Sequence, residues 1–289
     1  MKWSDILAET RAAAEQWRRE GSMPWYRGHV DVSWRLKSKL HRSLDTFFGA
    51  LSTRIIEDEK NAKRHLLREE YKTLYLRFNA DAWPLLDPRE RSDWGVVFAM
   101  QHYGQSTRLL DWTGSFACAT YFALLRSCEH ADTTKDAAIW MLDPHTLNRE
   151  VGIGGLLNLE DLDAGALVDT THWHPKLKPP QEDLYSIAVA PKHTNARMTA
   201  QRSFFTVSGD SFAPLDEEYS SLAQTGRLRQ FILDADERPQ AAAFLEAAGV
   251  DDYTFFPDLY GLALRHSAES ARRLEDGRRW YPKSFKPIE

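Results

Sequence analysis

The sequence predicts an α+β fold, with N-terminal helices, a mixed or mainly antiparallel sheet, and closing C-terminal helices. Three observations predict it. Helical periodicity dominates residues 3–20 and 55–80. Short β-branched and aromatic runs cluster between 137 and 233. Helical spacing returns from about 239 onward. With 289 residues, 43% of them hydrophobic, the chain can bury a substantial core.

In chain order, Trp3, Ile6, Leu7, Ala14 and Trp17 recur at helical spacing over 3–20, and Gly21 ends that helix. Trp25-Tyr26-Arg27 reads as a short strand, and Gly28 lets the backbone approach a neighbour closely. Over 55–80, Leu66, Leu67, Tyr71, Leu74, Tyr75 and Phe78 line one helical face, and Trp83-Pro84 interrupts it. Residues 92–103 form a helix capped by Ser92 or Asp93 and ended by Tyr103-Gly104. A strand follows over Thr107–Trp112, then a small-residue helix over about 115–126. Strands are expected at 137–142, 184–190, 202–207 and 228–233. Gly152 to Pro180, rich in Gly and Pro, reads as a long loop or insertion. Helices over about 239–248 and 257–275 close the chain. The stretch 145–180 would allow a domain boundary. The preferred reading is a single domain over 1–289, its helical part covering about 1–100.

The formal charge is −5, so no global nucleic-acid footprint exists, but the charge is uneven. Residues 1–80 hold 16 Lys and Arg against 11 Asp and Glu, and the rest hold 21 against 31. Arg35, Lys37, Lys39 and Arg42 form a basic stretch that could face phosphate or serve only as a solvated surface. Cys118 and Cys128 make neither a disulfide framework nor a CxxC pair. The N-terminus lacks a signal-like apolar stretch, and no apolar run suits a membrane span, so a cytoplasmic protein is expected. Several chemistries lack their residues. His172-Trp173-His174 has no further ligand at useful spacing, so no metal is expected. Gly152-Ile153-Gly154-Gly155 lacks the Gly-Lys-Ser/Thr of a P-loop. No Gly-x-Ser-x-Gly elbow occurs.

Two segments carry the functional signal: Trp25-Tyr26-Arg27-Gly28, and Gln101-His102-Tyr103-Gly104 running through Thr107-Arg108-Leu109-Leu110-Asp111-Trp112-Thr113. Polar and charged groups this dense around apolar residues need partners, so the second segment reads as a site or its hydrogen-bonded support. Arg27 could face a ligand or pair with Asp111, and Asp111 could pair with Arg108. His102 reads as a structural histidine, and Phe116, Tyr121 and Phe122 read as core.

These residues resemble the FRG domain family, found mainly in bacteria and their mobile elements and named for the aromatic-Arg-Gly signature seen here as Tyr26-Arg27-Gly28. Its second block is similar to 101–113 with Ala119 and Phe122-Ala123. A third resembles Arg197 to Gln201 with Phe204 or Phe205, and a late block resembles Phe256-Pro257-Asp258-Leu259 with Gly261, so the resemblance spans about 25–265. The chain departs at Gln105-Ser106, where a Pro is more usual, and at Arg202-Ser203, where a Gly commonly follows the Gln.

The order of these blocks looks like the layout of mono-ADP-ribosyltransferases. That resemblance implies NAD as substrate, with Arg27, Asp111 and Gln201 in catalytic roles. It implies cofactor contacts from Tyr26, Gly28, Tyr103, Thr107, Arg108, Trp112, Thr113 and Arg197. It further implies a bacterial or prophage toxin or phage-defence effector that modifies nucleic acid or protein, held by an antitoxin or chaperone. The alternatives are a non-catalytic module that binds nucleic acid or protein, and an NAD or nucleotide hydrolase.

Overall fold

A computed structural model describes residues 1–50, 58–124, 134–158, 170–175 and 184–280. It is α+β, with N-terminal helices, a seven-stranded mixed sheet and C-terminal helices. The strands are β1 Trp25–His29, β2 Leu109–Thr113, β3 Ala137–Leu142, β4 Leu157–Asn158, β5 Ile187–Ala190, β6 Ser203–Val207 and β7 Leu228–Leu233. They lie in the order β4-β5-β6-β2-β1-β3-β7. The β4–β5 pair is parallel and the other pairings are antiparallel. The described helices are α1 Trp3–Arg19, α2 Lys39–Ala50, α3 Glu59–Ala82, α4 Asp93–His102, α5 Phe116–Ala123 and α6 Pro144–Glu150. After them come α7 Ala196–Ala200, α8 Leu215–Glu218, α9 Ser220–Gln224, α10 Arg238–Ala247, α11 Asp252–Phe255 and α12 Leu259–Trp280. Among the described residues no helix is long and apolar enough to cross a membrane.

Strand alternation sorts the core. On one face of β1, β3 and β7, Tyr26, Ile139, Met141, Phe231 and Leu233 pack with Trp3, Ile6 and Trp17 of α1 and with small residues of α5 and α10. On the other face, Trp25, Trp140 and Leu142 meet Leu36, Leu215, Tyr219 and Leu222. Leu109, Ile187, Val189, Phe205 and Val207 of the remaining strands are covered by α2, α3 and α4.

Gly28 explains how close α5 can come. A Cβ there would lie 1.9 Å from the Ala119 carbonyl oxygen and 2.5 Å from the Ala123 nitrogen. The α5 backbone fills that space, so this glycine serves strand–helix packing. Gly28 also borders the cleft described below.

Several sequence expectations shift by a few residues for local reasons. The strand expected from Thr107 begins at Leu109, because the Leu109 amide donates to the Thr107 hydroxyl at 3.0 Å. The strand expected from Leu184 begins at Ile187, because the Leu184 carbonyl instead receives the Asp210 amide at 2.8 Å. The segment read as a long loop contributes β4, while its parts 159–169 and 176–180, like Cys128 and residues 55–57 of the second expected helix, lie outside the described residues. Helix α6 was not expected, although Asp143 caps it through its carboxylate and Pro144 opens it, which is a legible start signal.

Buried charges are placed in partnered clusters. The Asp210 carboxylate is fully buried and meets Arg108 at 3.2 Å, Arg64 at 3.8 Å and Arg68. Glu218 receives the Ser186 hydroxyl, and burial pushes its carboxyl up to about 7 despite that bond.

Two outcomes test this packing. Replacing Gly28 with Ala forces two backbones apart and should cost about 3 kcal/mol or prevent folding, read as a fall in thermal midpoint. A normal midpoint for this variant would refute the close approach of α5. For Glu218 the folded pKa is raised, so its stabilising protonated form is fully present below about 4.5 and lost as pH rises through about 7. Glu218→Gln should therefore gain stability relative to wild type between pH 5 and pH 8. Parallel melting curves for the two proteins across that range would contradict the assignment.

Candidate functional site

The site forms where the sheet opens. Strand β1 pairs with β3 through all five of its residues, but with β2 at one position only, Tyr26 opposite Thr113. Beyond that pair a cleft of about 370 Å³ lies against both strands, the C-terminus of α4, α5, α7 and Phe256. The Arg27 guanidinium spans the opening. Its Nη1 donates to the Asp111 main-chain carbonyl at 2.7 Å and stands 3.7 Å from the Asp111 carboxylate. Arg27 and Asp111 thus pair with each other and also line the cleft.

Both side chains are oriented from behind. The buried Thr107 hydroxyl donates to Gln101 Oε1 at 2.5 Å, which turns Gln101 Nε2 onto Asp111 Oδ2 at 2.8 Å. Among the described residues Asp111 Oδ1 has no hydrogen bond, and the side chain is 58% exposed. Arg27 Nε donates to His29 Nε2 at 2.9 Å, so the other ring nitrogen carries the proton and donates to the Trp34 carbonyl at 3.1 Å. Burial and then the Arg27 charge push the His29 pKa down to about 3, so His29 stays neutral and serves as an acceptor for Arg27. Burial lowers the Arg27 pKa and the neighbouring Asp111 opposes that shift, but a guanidinium stays charged at neutral pH.

The third element arrives through α7. Asn195 caps it, and Gln201 follows its last residue at the cleft. Gln201 Nε2 donates to the Phe255 carbonyl at 3.1 Å, and the Gln201 carbonyl accepts the Thr113 hydroxyl at 2.5 Å. Thr113 also accepts the Ser115 amide at 3.0 Å, so it ties strand end to loop while lining the cleft. Arg202 then takes φ +46°, a left-handed conformation that favours glycine. Arg197 lies over the Phe256 ring at 4.7 Å and pairs with Asp258 at 2.8 Å. Its Nε is buried without an acceptor. Asp258 in turn accepts the Gly261 amide at 3.0 Å, so the late block serves to position Arg197.

Not every expected residue reaches the cleft. Tyr103 is 68% exposed and is not among the lining residues. Arg108 is bound to Asp210 and the Ser208 carbonyl, a structural role that also removes it as a partner of Asp111. Thr107 supports Gln101 from beneath. Tyr26 and Trp112 line the cleft from largely buried positions, and Trp112 Nε1 donates to Thr206 at 3.1 Å. In the basic stretch, Arg35 pairs with Asp216 at 2.7 Å and Glu217 at 2.6 Å, and Lys37 with Asp45 at 2.5 Å. Lys39 donates to the Gly104 carbonyl at 2.7 Å. Arg42 donates to the Lys37 carbonyl and senses the Asp111 charge.

The sequence reading missed His102, Trp34 and Phe256 as cleft walls, and placed Phe122 in the core although it also lines the cleft. His102 and Phe122 were visible within the motif blocks, whereas nothing local marks Trp34. No group of three metal-ligating side chains occurs among the described residues. Because Arg202 is strained, Arg202→Gly should raise stability by about 0.5–1 kcal/mol, strain relief exceeding the added unfolded-state entropy. A lowered urea midpoint would show that the turn tolerates Arg without cost.

No curated protein and no solved structure matches this chain. Residues 22–132 match the FRG domain family model. That range contains β1, the α4–β2 segment and α5, whereas Arg197, Gln201 and Phe256 lie beyond it. The part of the chain that positions Arg27 against Asp111 in this way is the part that is similar to the FRG domain family.

Proposed function

We propose that the cleft binds NAD, breaks its nicotinamide–ribose bond and transfers ADP-ribose to an acceptor. The observation that carries the proposal is the convergence of Arg27 and Asp111, from strands that part, on one cleft that also holds Arg197 and aromatic walls. Arg27 uses its Nε and Nη1 within the protein, leaving guanidinium N–H groups for an anion. Arg197 has an Nε without an acceptor. Two such groups suit a pyrophosphate, and Trp34, Phe122 and Phe256 suit flat rings.

When the glycosidic bond breaks, nicotinamide leaves with the bonding pair and positive charge develops on the ribose. The exposed Asp111 carboxylate, fixed by Gln101, would stabilise that charge electrostatically. Gln201, fixed by Phe255, would orient a ribose hydroxyl through Oε1. This reading places the protein with cytoplasmic NAD, as a toxin or phage-defence effector with a nucleic-acid or protein acceptor and a regulatory antitoxin or chaperone. Nucleic acid is the preferred acceptor, although the pairing of Arg35 and Lys37 weakens that preference.

Nicotinamide release tests the proposal, with cellular RNA, DNA and protein offered as acceptors. Wild type should release nicotinamide. Arg27→Ala should weaken NAD binding about 10–100-fold, as loss of a charge-assisted contact predicts. Asp111→Asn should lower kcat about 100-fold with little change in KM. If the folded wild type neither binds NAD nor releases nicotinamide with any acceptor, the enzymatic reading is wrong and the cleft belongs to a binding module.

A further inference from the structure

An ADP-ribosyl acceptor must lose a proton, and neither Gln201 nor the guanidiniums can take it. Among the cleft residues, Cys118 is buried and its thiol is pushed up to about 12, so it is not poised for that exchange. His102 is different. It ends α4, lines the cleft, and is only partly buried. Its ring stands edge-on to Tyr103 at 4.9 Å between centroids. Neither ring nitrogen has a hydrogen-bond partner among the described residues, whereas His29 has both ring nitrogens engaged.

We infer that His102 is the general base of the proposed transfer, taking the proton of an acceptor hydroxyl as that oxygen attacks the ribose. This rests on the NAD reading above. In the step, the C1′–nitrogen bond breaks and nicotinamide leaves with its electrons. The acceptor oxygen forms the new C1′–O bond, its proton moves to a ring nitrogen of His102, and the imidazolium returns it to solvent. Water in place of the acceptor gives hydrolysis by the same route.

The surroundings suit a neutral imidazole. Burial and then the Arg197 guanidinium lower the His102 pKa, against opposing pulls from Glu90, Asp258 and Asp111. Those charges come from α7, the turn before α4, the segment before α12 and β2, and Tyr103 adds an uncharged ring. A base that is free at neutral pH is what a hydroxyl acceptor requires.

The test compares wild type with His102→Asn in nicotinamide release across pH, using NAD alone, where water is the acceptor, and NAD with bulk RNA. His102→Asn should lose about 100-fold or more in kcat, within the range ascribed to a positioned base. Its KM for NAD should stay within about twofold, because NAD is held by other groups. The acidic limb of the wild-type profile should disappear in the variant. A thermal midpoint like that of wild type shows that folding is intact, and His102→Gln provides a second variant if the first is unstable. An active wild type whose variants keep its rate and pH profile overturns the role of His102 and leaves the NAD reading standing. A wild type that releases no nicotinamide overturns both.

Discussion

Everything at the cleft depends on the separation of β1 from β2 beyond a single residue pair. A continuous ladder there would set Arg27 opposite Trp112 and Gly28 opposite Asp111 and leave no opening. Instead, the Asp111 carbonyl is satisfied by the Arg27 guanidinium at 2.7 Å. That bond gives a partner to a carbonyl left outside the ladder, so Arg27 stabilises the opening that it lines. Its position is set by Trp25 and Tyr26, whose side chains anchor β1 in the cores on opposite faces of the sheet. Gly28 completes the arrangement by letting α5 sit directly on the strand.

That arrangement preserves charge in the cleft. The Arg27 and Asp111 ionic groups are 3.7 Å apart, farther than the contact between the guanidinium and the neutral carbonyl. A carbonyl satisfies a donor without cancelling the cation. His29 does the same at Nε, since a neutral imidazole accepts a bond and adds no negative charge. By contrast, Arg108 is committed to the fully buried Asp210 with two further arginines. The two arginines look equivalent in the sequence, one in each motif block. Their partners separate them into a cleft-lining group and a structural one.

The sequence read well where the signal was local. The β3 and β7 boundaries and the Ser92 cap of α4 follow from alternation and cap chemistry over a few residues. The convergence of Arg27 with Asp111 was expected because both belong to dense polar motifs. What stayed hidden was long-range. Nothing beside Arg35 or Lys37 announces that Asp216, Glu217 and Asp45 will neutralise them. Nothing beside Gly28 reveals the α5 backbone against it. Arg202 was legible as a departure from a position where glycine is usual, and its φ of +46° supplies the physical reason.

In the proposed transfer, Gln201 and His102 would address one chemical problem in different ways. A glutamate at 201 could both orient a ribose and accept a proton, whereas a glutamine can only orient. The Phe255 carbonyl holds the amide nitrogen and so directs the remaining oxygen as an acceptor. In the proposed transfer the proton needs another destination, and the same cleft holds an imidazole at the end of α4. Arg197 would bear on both tasks: its charge suits a phosphate group and adds to burial in lowering the His102 pKa. Asp258 holds that arginine in place, so the last block of the chain lends the cleft the Phe256 ring directly and would act on the proposed reaction through Arg197.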